Sequence, residues 1–181
     1  MNAVVFLLNT LFELYTMLVL LRVWLQWSRA DFYNPFSQFV VKATQPVVAP
    51  LRRVIPPIGP VDTASVLFAL VLTAIKLVVL NLLLGGGMPP LVALLFASAV
   101  QLVSTIFQLI IYVIFAGVIL SWVAQGYHPV AAAIFQLTEP LLRPIRSILP
   151  SMGGLDLSPM ILLLGLYFLR MLLQDLTGIA F

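Results

Sequence analysis

The chain has 181 residues, of which 62% are hydrophobic and 8% are charged, with a formal net charge of +3. A soluble globular domain carries about a quarter charged residues, so this composition excludes a soluble enzyme, a nucleic-acid-binding domain and a disordered tail. It predicts an all-α integral membrane protein. The sequence holds no cysteine and a single histidine, His128, which excludes disulfides, thiolate metal sites and a histidine-based metal cluster within one chain.

Four apolar runs predict four transmembrane helices. In chain order they cover residues 3–27, 63–84, 91–122 and 158–179. The first run is about 37 Å long as a helix, enough for a bilayer core of about 30 Å. Proline-rich connections at 28–62 and 123–156 separate the spans of each half, and a Gly/Pro turn at 85–90 joins the halves. The chain therefore divides into a first repeat, 1–84, and a second, 91–181.

The two connections repeat one motif. A shift of 94 residues aligns Thr44, Pro46, Pro50, Arg52 and Asp62 with Thr138, Pro140, Pro144, Arg146 and Asp156. A shift of 95 residues aligns Trp27 with Trp122. Each repeat is a span, an amphipathic proline-rich segment and a second span, so both repeats have the same orientation. We expect a pseudo-twofold axis along the membrane normal to relate them.

Basic residues predict the orientation. Arg29, Lys42, Arg52 and Arg53 lie in the first connection and Arg143 and Arg146 in the second, whereas the central turn and both termini carry no Lys or Arg. By the positive-inside rule, both repeated segments face the cytoplasm and both termini face outward.

The motif that occurs twice resembles that of the YggT family of small bacterial inner-membrane proteins. Its pattern is Thr-Gln/Glu-Pro, then Pro-Leu/Ile-Arg, then Pro, Gly and Asp, and the stretch 29–46 is similar to the proteobacterial branch. The resemblance covers both repeats, although the second has His128-Pro129 where the first has Asn34-Pro35. It implies a multi-pass inner-membrane protein without an established catalytic activity. Relatives are linked to cell division and nucleoid placement, osmotic tolerance and assembly of a membrane cytochrome.

The proline spacing disfavours a continuous helix from Thr44 to Ile55, because a proline inside a helix removes a hydrogen bond and clashes with the preceding turn. Two short helical pieces are predicted, with Thr44 as a possible N-cap. Before them, four residues on one helical face predict a short interfacial helix: Phe36, Phe39, Val40 and Ala43. Asp62 and Asp156 precede spans and are predicted to cap them.

Five basic residues of the connections are candidates for a cytoplasmic surface: Lys42, Arg52, Arg53, Arg143 and Arg146. They would set the topology and contact anionic lipid headgroups, each worth about 1 kcal/mol near the surface. The alternative is docking of a membrane or cytoplasmic protein. A nucleic-acid site is disfavoured because basic residues are few.

Polar residues inside the spans need an explanation, because each intramembrane charge costs about 2.5–3.5 kcal/mol on insertion scales. Glu13, Lys76, Gln108 and Arg170 are predicted to share one depth, roughly 21 Å from the cytoplasmic edge. They could line an ion or substrate path, hold helices in register, or reach the outer headgroups. Ser65, Ala69, Thr73 and Lys76 fall on one face of the second span, the small-residue pattern of close helix packing. Arg22 is predicted to reach the cytoplasmic headgroups.

These patterns favour a non-enzymatic membrane adaptor or assembly factor that presents basic amphipathic segments to lipid and to a protein partner. Enzyme signatures, cofactor motifs and metal-ligand spacing are missing from the sequence, and Glu139 has no second acid at a useful spacing. The alternative is a small channel or transporter subunit in osmotic or ion adaptation. Homo-oligomerisation stays open, because four spans alone are too few for a monomeric pore.

Overall fold

The structure, a computed structural model, describes residues 2–123, 128–148 and 156–179. These residues form six helices and no strand: Ala3–Trp27 (α1), Pro35–Val54 (α2), Thr63–Leu83 (α3), Leu91–Val123 (α4), Pro129–Ile148 (α5) and Ser158–Thr177 (α6). α1, α3, α4 and α6 are long and apolar enough to cross a membrane, which confirms the predicted all-α fold with four spans. The predicted second connection lies partly outside the described residues, at 124–127 and 149–155.

The helices pack in the same way in each repeat. α1, α2 and α3 contact one another, and so do α4, α5 and α6. α4 also contacts α1 and α3, and α2 contacts α5, which joins the repeats through the spans and through the connecting helices. Since α2 follows α1 and α5 follows α4, both connecting helices lie at one end of the bundle. We call the pair the α2–α5 layer.

Burial is unequal among the spans. α4 carries ten buried residues, whereas only Ser158 and Leu166 are buried along α6. The main core joins both repeats through fully buried side chains such as Val19 and Leu25 of α1, Val40 of α2 and Leu137 of α5. α4 is therefore the central helix, and α6 presents most of its surface to the surroundings of the bundle.

The face of α3 that packs inward is the stripe of small residues that its spacing indicates. Ser65, Ala69, Thr73 and Lys76 are buried along this helix, together with Ala64. Small side chains let two helix backbones approach closely, and close packing replaces the hydrophobic effect as the attraction between helices in lipid.

α2 and α5 are continuous helices, so the prediction of two short pieces is wrong. Pro46 and Pro50 lie inside α2, and Pro140 and Pro144 lie inside α5. Each proline cannot donate to the carbonyl four residues before it. All four are exposed, and positions four apart share a helix face. The unpaired carbonyls therefore lie on the outer face, where water or headgroups can hydrate them.

Thr44 does not cap a helix; it lies buried in the middle of α2, with its hydroxyl donating to the carbonyl of Val40 at 2.8 Å. The predicted apolar face of this helix divides between the protein core and the exposed surface of the layer. Val40 is fully buried, but Phe39 is 61% exposed. The buried face instead combines apolar and hydroxyl side chains: Ser37, Val40, Thr44 and Val48.

The turn between the repeats follows α3 directly. Gly85 has a φ of 81°, a left-handed conformation that favours glycine. The Asn81 side chain donates to the carbonyl of Gly87 at 2.7 Å, and a Cβ on Gly86 would collide with that side chain. The glycine cluster therefore closes the turn, as its position before two prolines indicates.

Candidate functional site

Asp62 is the centre of a polar network at the layer end of the first repeat. Its carboxylate is fully buried, and its Oδ2 accepts from the Arg52 Nε at 3.1 Å and from the Ser65 hydroxyl. Arg52 also donates through Nη2 to the same oxygen and to the Gln26 side chain. Asp62 and Arg52 together thus join all three helices, with Gln26 on α1, Arg52 on α2 and Ser65 on α3. N-capping alone does not describe its role.

Arg22 completes this network, and the prediction that it reaches the headgroups is wrong. It is 4% exposed, and its guanidinium donates to Thr44 Oγ1 at 2.9 Å, Gln45 Oε1 at 2.8 Å and the Val41 carbonyl at 3.3 Å. Its Nε lies 3.7 Å from Asp62 Oδ2. A side chain that finds three acceptors and a counter-charge within the protein has no need of the headgroups.

The electrostatics of Asp62 follow from this environment. Burial by itself would raise the pKa of the Asp62 carboxyl, because a low-dielectric site disfavours charge. The hydrogen bonds from Arg52 and Ser65 and the positive charge of Arg52 outweigh burial and hold the pKa below its ordinary value of 3.8. Asp62 is therefore ionised whenever the protein is folded near neutral pH.

The second repeat keeps the ion pair but not the burial. Arg146 donates through Nε to Asp156 at 2.8 Å and through Nη1 to Glu139 at 2.7 Å. The Asp156 side chain is 42% exposed, against 0% for Asp62. Burial opposes these shifts, but hydrogen bonds from Ser158 and Arg146 lower the pKa of Asp156, and its two carboxylate partners raise the pKa of Arg146. Glu139 has no acid partner at a useful sequence spacing, but in the structure it is linked to Asp156 because both carboxylates accept from Arg146.

Hydrogen bonds tie the repeats together within the α2–α5 layer. The Asn34 amide donates to the Pro129 carbonyl at 2.6 Å, while its oxygen caps α2 by accepting from Phe36 N. The Asp31 backbone N–H donates to Gln136 Oε1 at 3.0 Å. The start of α2 is therefore fixed against α5.

The structure separates the five predicted basic residues into two groups. Arg52 and Arg146 form ion pairs with Asp62 and Asp156 and so stabilise the fold. Lys42, Arg53 and Arg143 are exposed on the layer, and among the described residues no carboxylate pairs with them. These three cations form what we call the outer basic face.

The four intramembrane polar residues form two pairs rather than one cluster. Lys76 is 4% exposed, and its Nζ lies 3.2 Å from Glu13 Oε1, joining α3 to α1. Arg170 donates to Gln108 Oε1 and, through Nε, to Ser104 Oγ at 3.2 Å, joining α6 to α4. Both cations are held by residues of neighbouring helices, which favours pairing between helices over a position among the headgroups.

A cavity of about 250 Å³ lies between these pairs. Glu13, Gln108 and Arg170 line it, but Lys76 does not. Other polar side chains on its wall come from α1 and α4: Asn9, Gln101, Ser104 and Thr105. Polar side chains of α1, α4 and α6 therefore share one space inside the spans.

Sequence reasoning missed the link between Arg22, Thr44 and Asp62. The signal available was the motif itself, since an Arg and an Asp ten residues apart occur in both repeats. Nothing in the spacing indicated that Arg22, from another helix, joins them. Within the described ranges, no group of three His, Asp or Glu side chains is placed to hold a metal ion.

Comparison with known proteins covers nearly the whole chain. The family model described as CCB3/YggT matches residues 1–83 and 96–177. An Escherichia coli K12 protein named YggT is 53% identical over 171 residues, 94% of this chain and 89% of its own. A Vibrio alginolyticus protein from the proC 3′ region is 51% identical over 98% of this chain and 97% of its own. A Pseudomonas aeruginosa protein is 43% identical over 98% and 93%. No solved structure matches.

Proposed function

The chain belongs to the CCB3/YggT family, and on that premise we propose that it is a non-enzymatic adaptor or assembly factor of the bacterial inner membrane. It would serve cell division, envelope organisation or assembly of a membrane complex. One observation carries the proposal: the α2–α5 layer is built as a single surface. Two amphipathic helices from separate repeats pack together at one end of four apolar helices.

The charges of the layer support a docking role. Arg52 and Arg146 are engaged by carboxylates and add little attraction for a partner. Lys42, Arg53 and Arg143 are exposed on the layer, where they are available to pair with an external anion. With the layer in the cytoplasm and the termini outward, these cations lie beside the anionic inner leaflet. Each then gains about 1 kcal/mol from the headgroups, and a protein with an acidic surface could engage the same charges.

The test is crosslinking in native membranes followed by mass spectrometry. The variant reverses the outer basic face with Lys42→Glu, Arg53→Glu and Arg143→Glu. We expect insertion to persist and recovery of a defined partner to fall severalfold, because the attraction becomes a repulsion. A matched control, Lys42→Arg with Arg53→Lys and Arg143→Lys, keeps the charge and should keep the partner. A partner recovered equally from both variants would refute docking through this face.

The second candidate is a channel or transporter subunit, which the 250 Å³ polar cavity favours. Ionisable residues around an intramembrane cavity commonly mark an ion or substrate path. Under this alternative, Glu13→Gln should change ion flux into proteoliposomes. Because this change also leaves Lys76 without its carboxylate, Lys76→Gln with Glu13→Gln is the control that separates lost charge from lost pairing. Equal flux through all three proteins would exclude the path.

A further inference from the structure

One difference between the two repeats lies on their first spans, near the α2–α5 layer. The shift that aligns Trp27 with Trp122 also aligns Arg22 with Gly117. The structure supports this correspondence. Arg22 reaches Thr44 on α2, and a Cβ added to Gly117 would lie 4.0 Å from Thr138 Cγ2 and 3.3 Å from Ile134 Cγ2 on α5. Thr138 is the repeat partner of Thr44, so a side chain at 117 would project toward the equivalent site.

That site in the second repeat is a cavity of about 430 Å³, which we call the Gly117 cavity. Its volume lies within the range of small-ligand pockets, about 300–1,000 Å³. Its polar wall consists of Ser121, Thr138, Glu139, Arg146 and Asp156. Three of these correspond to residues around the Arg22 guanidinium in the first repeat, namely Thr44, Gln45 and Asp62. The second repeat thus keeps the acceptors for a guanidinium but lacks the side chain that would supply it.

The charge balance of the cavity also favours a positively charged occupant. Glu139 stands where the first repeat has the neutral Gln45. Glu139 and Asp156 share the single cation Arg146, which leaves one excess negative charge among the three. Thr138 is 3% exposed, and its hydroxyl donates to the Ile134 carbonyl at 3.1 Å. In the first repeat the equivalent hydroxyl also accepts from Arg22, whereas no donor from the described residues reaches Thr138 Oγ1.

The remaining wall of the cavity is apolar. Ile114, Val118, Trp122 and Phe135 line it. An occupant that matches both walls needs a positively charged head with N–H donors and a short hydrocarbon stem. We propose that the Gly117 cavity binds such a monocation, a guanidinium or primary ammonium group on an apolar stem, in the position that Arg22 fills in the first repeat. The head group could come from a soluble amine or guanidine or from the ammonium of a phospholipid.

The probe is n-propylguanidinium, which reproduces the arginine side chain beyond Cα. It is titrated by calorimetry into the full chain in nanodiscs of phosphatidylglycerol alone. We expect saturable binding of one equivalent. Tetramethylammonium, a cation without N–H donors, should bind at least about tenfold more weakly, because charge-assisted hydrogen bonds contribute the difference. Absence of saturable binding, or equal binding of the two cations, would overturn the proposal.

Substitutions place the binding in this cavity. Glu139→Gln and Thr138→Val should each weaken n-propylguanidinium binding severalfold, since one removes the excess charge and the other the buried acceptor. Gly117→Arg should abolish binding by filling the cavity from within. If Gly117→Arg does not fold because of the close Ile134 contact, the first two variants still decide. Gln45→Glu, which adds a carboxylate beside Arg22, is the matched control and should leave binding unchanged. Unchanged affinity in both Glu139→Gln and Thr138→Val would refute the site.

Lipid composition identifies the source of the cation. Nanodiscs that contain phosphatidylethanolamine should weaken n-propylguanidinium binding severalfold if its primary ammonium occupies the cavity, and phosphatidylcholine, with a quaternary ammonium, should not. Equal affinity in all three membranes would assign the cavity to a soluble cation. Both results support the proposed chemistry and differ only in where the head group comes from.

Discussion

The layer ends of the first and second repeats use the same Arg–Asp pair in two different environments. In the first, Asp62 is fully buried and has two arginines near it. In the second, Asp156 is 42% exposed and shares Arg146 with Glu139. The pair is therefore common to the repeated scaffold, whereas burial and the added Arg22 belong to the first repeat alone.

The packing of the spans explains this difference. α3, which Asp62 caps, lies against α1, α2 and α4, while α6, which follows Asp156, contacts α4 and α5. A buried ion pair becomes costly when one partner is removed, whereas a solvated pair contributes about 0–1 kcal/mol. The network of the first repeat therefore contributes more to stability. In the second repeat, the equivalent residues can serve the proposed binding with little loss of stability.

The largest expected effect comes from removing the central carboxylate of each repeat. Asp62→Asn should lower the free energy of unfolding by about 3–5 kcal/mol, because it leaves buried Arg22 without a counter-charge. Asp156→Asn should cost less than about 1 kcal/mol, because its pair is exposed to solvent. Unfolding of both variants in detergent micelles measures the contrast. Equal losses would show that the repeats are energetically alike.

Acid should disrupt the same network without a mutation. The resulting loss in free energy of unfolding should be no larger than the loss caused by Asp62→Asn. The folded-state pKa of Asp62 lies below its ordinary value of 3.8, so the unfolded chain binds the proton more tightly. The resulting stability is present above the unfolded pKa and is lost as pH falls through the folded pKa. Asp156 shifts in the same direction. Between neutral and acid pH, the free energy of unfolding should fall less in Asp62→Asn than in Asp156→Asn. Parallel curves would contradict the assignment of this pH-dependent stability to Asp62.

The paired threonines offer a sharper comparison at smaller cost. Thr44→Val should destabilise the protein by about 2 kcal/mol, since it removes a hydrogen bond from a buried guanidinium. Thr138→Val should cost only about 0.5–1 kcal/mol, because it loses a neutral bond to a carbonyl. Thermal unfolding of the two isosteric variants tests this order, and a reversed order would argue against an engaged Arg22.

The smallest effects distinguish neighbouring arginines. Arg52→Ala should cost about 1 kcal/mol, because Arg52 is partly exposed and its loss leaves Asp62 with Arg22. Arg53→Ala should stay within about 0.5 kcal/mol, since Arg53 is exposed and serves the outer basic face. If Arg53→Ala destabilises as much as Arg52→Ala, the separation of structural from outer cations is wrong.

Much of the fold can be predicted from the sequence, because long apolar runs have one stable solution in lipid. The runs that begin at residues 3, 63, 91 and 158 begin spans in the structure at the same positions. The small-residue stripe of α3 likewise identifies its buried face. The predicted break in α2 is wrong, because proline rules count lost hydrogen bonds without knowing that the freed carbonyls lie on an exposed face.

The candidate sites depend on contacts that no local pattern contains. Arg22 and Asp62 are 40 positions apart on different helices, and the burial of Asp62 results from how α3 packs. The pairing of Glu13 with Lys76 was foreseeable from equal predicted depth, since Glu13 lies 14 positions before Trp27 and Lys76 lies 14 positions after Asp62. The Gly117 cavity was not, because a glycine within an apolar run reads as close helix packing until its neighbours are known.

The 33-residue length of α4 has a consequence for the lipid around the protein. As a helix it extends about 50 Å, against a hydrocarbon core of about 30 Å. Transmembrane helices tilt by up to about 40°, which shortens the projected length of α4 to about 38 Å, so it must also extend beyond the core or thicken the bilayer. α3, with 21 residues, fits a bilayer of ordinary thickness. Hydrophobic mismatch therefore falls mainly on α4, and the thickness of the surrounding bilayer should affect this helix more than α3.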